Sequence, residues 1–120
     1  MPPMADYVSL MIAEHGAENV ALYGDKVYFA PLDASVVALD AKTGKVAGEA
    51  KIEDWKQGYY TTMAPLVVKG KVLVGVAGGE FGVRGFVQAF DAQTGKSAWK
   101  TYTVPAPGEP GSDTWKKPDT

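Results

Sequence analysis

At 120 residues, 46% of them apolar and 22% charged, the chain has the size and composition of one globular domain, and no apolar run approaches the roughly 18 residues of a membrane-spanning helix. Twelve basic against 14 acidic side chains leave a net charge of −2, so there is no basic footprint for nucleic acid or an anionic membrane, and neither is expected as a partner. With no Cys, disulfides, thiolate metal sites and a Cys nucleophile are excluded.

The first residues, MPPMADYVSLMIAEHG, lack the basic and long apolar regions of a secretory signal. Val8, Met11 and Ile12 fall at helical spacing and Gly16 is a stop, which predicts a short amphipathic helix over 5–15. Beyond Asn19 the character changes. Gly and Pro fill 22 of 120 positions, about 18% against a usual share of roughly 12%. There are 14 Val but only 2 Ile and 6 Leu. Short apolar runs punctuated by Gly, Asp and Pro predict strands near 19–23, 26–31 and 35–40, then near 64–69, 71–76, 84–91 and 96–103. The segment 105–120 is polar and broken by Pro and Gly, and is expected to be a flexible tail.

The chain also repeats itself. VVALDAKTGKVA at 36–47 returns as VQAFDAQTGKSA at 87–98, with eight identities at an offset of 51. Upstream, Lys26-Val27 matches Lys71-Val72 at an offset of 45, so about six extra residues enter the second copy, in the stretch containing AGGEFG at 77–82. In each copy a strand ends at an Asp, the AKTG or AQTG segment turns with its Gly at positive φ, and a returning strand starts at the Lys. Asp40 and Asp91 therefore read as turn-capping residues. A period of 40–50 residues with about four strands per unit is that of propeller blades, and one such sheet cannot bury both of its faces.

Several motifs together resemble the quinoprotein alcohol dehydrogenases, the eight-bladed propellers of the methanol and ethanol dehydrogenase family that use pyrroloquinoline quinone (PQQ). They are VALYGDKVYF at 20–29, the two DA(K/Q)TGK turns, TMAPLVV at 62–68, VAGGEFGVRGF at 76–86 and YTVPAPGEPG at 102–111. The resemblance runs from Val20 to Trp115 and implies an all-β fold of two antiparallel, four-stranded, blade-like sheets over 19–104. A non-family segment with a short helix would precede them at 1–18, and oligomerisation or strand exchange would complete them. It implies that Glu80 is a ligand of the Ca²⁺ that holds the quinone, that Thr62 contacts the quinone, and that Ala77, Gly78 and Gly79 lie along the cofactor edge. A carboxylate is a hard oxygen ligand suited to Ca²⁺. The family's location is periplasmic, whereas no export signal is read in this chain.

The sequence also departs from the family. Its adjacent Cys pair is missing, its quinone-contacting Arg falls at Glu18, and its blade-docking Trp is kept as Trp99 but replaced by Gly48 in the first copy, which should weaken packing of the first blade. The general base and the remaining Ca²⁺ ligands lie in later parts of the family. The expectation is therefore a self-associating propeller piece with an incomplete site. The alternative is a small oligomeric hydrolase, metal-assisted at a subunit interface, with Glu80 and His15 as its candidate catalytic residues. Arg84 is expected in a salt bridge to a carboxylate such as Glu80 or Asp91. Trp55, Tyr59 and Tyr60 either pack on a neighbouring sheet or line a groove.

Overall fold

The computed structural model describes residues 20–114; the helix expected over 5–15 and His15 lie outside the described residues. Two four-stranded antiparallel sheets follow one another along the chain, each with its strands in sequence order. The first contains β1 (Val20–Tyr23), β2 (Lys26–Phe29), β3 (Ser35–Asp40) and β4 (Val46–Lys51). The second contains β5 (Leu66–Val68), β6 (Lys71–Gly75), β7 (Phe86–Asp91) and β8 (Ser97–Tyr102). Among the described residues the only helical pieces are 3₁₀ turns at Trp55–Gln57, Gly79–Phe81 and Ser112–Thr114. Seven of the strands fall inside the ranges expected from sequence.

The hairpins follow from their turn residues. Lys69 and Gly70 both take positive φ (48° and 72°), the two-residue geometry that matches strand twist between β5 and β6. Asp40 Oδ1 accepts the amides of Lys42 at 2.8 Å and Thr43 at 2.9 Å, and Asp91 Oδ1 accepts those of Gln93 and Thr94 at the same two distances. Gly44 and Gly95 both sit at φ 72°, where a side chain would be strained. A register shift follows in each sheet, at Ala38/Leu39 and at Ala89/Phe90. The two turns thus share geometry as well as sequence. The link into the third strand is longer in the second sheet, 76–85 against 30–34, and it carries the Gly79–Phe81 turn.

Strand alternation sends one set of side chains to each face. Tyr28, Val36 and Ile52 of the first sheet and its links meet Val72, Val74, Phe86 and Phe90 of the second in one core between the sheets. Val27, Phe29, Val37 and Leu39 form a separate buried cluster. Polar contacts also bind the units: the Tyr28 hydroxyl donates to Ala92 O at 3.2 Å, the buried Thr61 hydroxyl to Pro31 O, and Lys100 Nζ pairs with Glu53 Oε2 at 3.6 Å. The opposite face of the second sheet leaves Leu66 (59%) and Trp99 (42%) exposed.

Candidate functional site

Glu80 stands on the Gly79–Phe81 turn, which two loops hold from behind. An antiparallel bridge joins Tyr60 to Ala77, with Ala77 N donating to Tyr60 O at 2.8 Å. Next to it Gly78, at φ 117°, backs onto Gly58, at φ 102°; a Cβ on Gly78 would lie 2.2 Å from Gly58 O and 2.9 Å from Val83 Cγ2. No side chain fits there. The glycine that the family resemblance lays along a cofactor thus has a local duty, which is to let two loops touch. Gly79, in contrast, is exposed and its Cβ position is open.

The Tyr60 hydroxyl donates to Glu80 Oε1. That bond favours the ionised carboxyl and holds Glu80 below its ordinary pKa, helped by its own backbone amide, while the Tyr60 phenol is pushed up by the same carboxylate. The Phe81 ring meets Tyr60 edge-on at 6.1 Å, and Tyr59 tilts against Phe86 at 5.9 Å. Leu32, Trp55, Tyr59, Tyr60 and Phe81 line an open groove of about 300 Å³ beside this turn. The aromatic group expected either to pack or to line a groove therefore does both: Tyr59 packs on the core residue Phe86, and Trp55 is 56% exposed at the groove wall.

Thr62 is exposed, one residue beyond the buried Thr61 and two beyond Tyr60, so it rides on the segment that bridges to Ala77. Arg84 finds a different partner from the two expected. Its guanidinium pairs with Glu109, its Nε donates to Val104 O at 2.7 Å, and it lies 3.9 Å from the centre of the Tyr102 ring. Asp91 stands at the far end of β7, seven residues and about 23 Å away at strand rise, and the segment after β8 folds back to reach Arg84 first. Glu109 in turn accepts from Ala106 N at 2.8 Å.

This arrangement offers one ionised, exposed carboxylate on a rigid turn. Ca²⁺ takes six to eight oxygens, and among the described residues no group of three His, Asp or Glu side chains comes together. These residues do not fit a complete metal or quinone site by themselves, and no chemical step follows from them alone. The hydrolase alternative gains no support either, since Glu80 is paired with a phenol and not with a base. The Tyr60–Glu80 contact itself was not legible in the sequence, because the two residues are 20 positions apart and meet only through the bridge of Tyr60 to Ala77.

The comparisons with known proteins agree with this architecture. The quinohemoprotein alcohol dehydrogenase ADH IIB of Pseudomonas putida is 57% identical over 92 residues, 77% of this chain and 13% of that protein. The solved quinohemoprotein alcohol dehydrogenase ADHIIG of Pseudomonas putida HK5 superposes with a TM-score of 0.70 at 52% identity, over 72% of this chain and 13% of its own. A europium-containing methanol dehydrogenase gives a TM-score of 0.70 at 44% identity, over 81% of this chain and 18% of its own. The chain thus spans between an eighth and a fifth of the length of these relatives. A family model described as PQQ, glucose/ethanol/alcohol dehydrogenase, beta-propeller domain, matches residues 9–120, beginning ahead of the Val20 at which the resemblance is read in the sequence. With that match and the two blade-like sheets, the chain belongs to the beta-propeller family of PQQ-type glucose, ethanol and alcohol dehydrogenases.

Proposed function

We propose that this chain works as a pair of adjoining propeller blades that associates with further copies of itself, contributing Glu80 as one oxygen ligand of a hard cation beside PQQ and turning over no alcohol by itself. The observation that supports it best is the support behind Glu80: Gly78 lodged on Gly58 and the Tyr60 hydroxyl on Oε1 fix an ionised carboxylate on an otherwise open surface. A solvated loop Glu needs neither. The cation is calcium in the family reading, and the europium-containing relative adds a lanthanide of the same oxygen-seeking chemistry. Thr62 and Gly79, both exposed near this turn, are the further residues of this chain placed to meet the quinone.

Thermal unfolding of the full chain, with and without Ca²⁺ and PQQ together, tests the retained ligand. The expected result is a higher midpoint with both additives, lost in Glu80→Gln, and no alcohol oxidation by the isolated chain. A midpoint indifferent to both additives, or equally raised in Glu80→Gln, overturns the assignment.

A further inference from the structure

A second cavity, remote in sequence from Glu80, opens between the two sheets with a volume of about 170 Å³. Tyr28, Val36 and Ala38 line it from the first sheet and Val72 and Phe90 from the second, while Gly48 and the Asp91–Gly95 turn complete its wall. Gly48 is the anomaly. It lies inside β4, opposite Ala38, where a glycine weakens a strand and leaves nothing to pack. A Cβ built on it meets no atom within 4 Å. At the offset of 51 residues its counterpart is Trp99, opposite Ala89 and beside the same register shift. One sheet thus carries an indole where the other carries an opening.

The inner wall formed by Val36, Ala38, Val72 and Phe90 is apolar and the space is open on the outside, which suits one planar ring system whose edge reaches solvent. At the mouth stand the Asp91–Gly95 turn, where Asp91 Oδ1 already accepts the amides of Gln93 and Thr94, and Lys26, which is held by Asp25 at 2.9 Å, while Glu49, opposite Val37, sends its side chain to the other face of the sheet. We propose that the cavity at Gly48 is a binding site for a small, planar, neutral heteroaromatic molecule of the indole type, its ring between the sheets in the place that Trp99 holds on the other sheet.

Titration of indole into the full chain, followed by backbone amide NMR, tests this directly. The expected result is saturable shifts centred on Gly48, Ala92 and Thr94. Gly48→Trp, which supplies the ring from within, is expected to raise the thermal midpoint and to weaken indole binding at least tenfold. Ala50→Leu fills part of the same space from the neighbouring wall position and is expected to weaken binding in the same direction. Absence of saturable shifts in the unsubstituted chain, shifts confined to other residues, or unchanged indole binding in either folded variant overturns the site.

Discussion

Gly78 and Gly79 are neighbours with opposite constraints. The first combines positive φ with a Cβ position 2.2 Å from a backbone oxygen, whereas the second faces open space. Gly78→Ala is therefore expected to lower stability by roughly 2–3 kcal/mol in urea denaturation, and Gly79→Ala by under about 1 kcal/mol. Equal effects would mean that the contact with Gly58 is dispensable. Gln88 makes a second test. It is buried at 8% exposure, donates to Ser97 Oγ at 2.9 Å, and has no protein partner for its Oε1. Its counterpart at the 51-residue offset is Val37, a core residue. Removing an unpaired buried carbonyl recovers about 1 kcal/mol, so Gln88→Val is expected to raise the unfolding midpoint, while a lower midpoint would show that the amide has a partner worth keeping. At this scale the sequence was legible where one residue acts within its own turn, as at Asp40, Asp91, Gly44 and Gly95. It was silent on Gly58 and on the bond from Tyr60 to Glu80, which arise only when distant loops meet.

At the scale of elements, the two Asp turns link structure to pH. Backbone amides, led by Thr43 and then Lys42, hold the Asp40 carboxyl below its ordinary value, and Thr94 followed by Gln93 does the same for Asp91. Each folded turn therefore releases its proton more readily than the unfolded chain, whose Asp titrates near pH 4. The contribution is complete above that pH and is lost as pH falls through the lower folded values. Asp40→Asn combined with Asp91→Asn keeps an acceptor at both turns and is expected to flatten the acid limb of the stability profile; an unchanged limb would place the acid sensitivity elsewhere. Glu80 follows the same sign through Tyr60, so Tyr60→Phe should move its titration upward by NMR. Strand order also shows what pattern reading captures. Six strands carry alternating or continuous apolar residues, and β8, SAWKTY, though almost wholly exposed, keeps two aromatics, whereas the equally exposed β4, VAGEAK, offers only Val46 beside Ala, Gly, Glu and Lys. Its start was legible from the turn, but its length is set by pairing with β3.

The whole molecule is two sheets sharing one core, with large apolar side chains left on the outside. Leu66 and Trp99 occupy the outer face of the second sheet, and Leu22 is 74% exposed at the other end of the pair. A propeller sheet packs both faces against neighbours, and uncovered apolar surface of this kind marks an interface. The 51-residue repeat made the two-sheet plan readable from sequence, because a shared turn implies a shared unit. What covers the outer faces was not readable, since under the proposed self-association the covering residues belong to another copy of the chain. The solution mass of the full chain by light scattering tests that self-association most directly. A defined multiple of 12.7 kDa that falls to the single-chain mass in the double variant Leu66→Lys, Trp99→Lys is the predicted result, and a monomer at every concentration would contradict it.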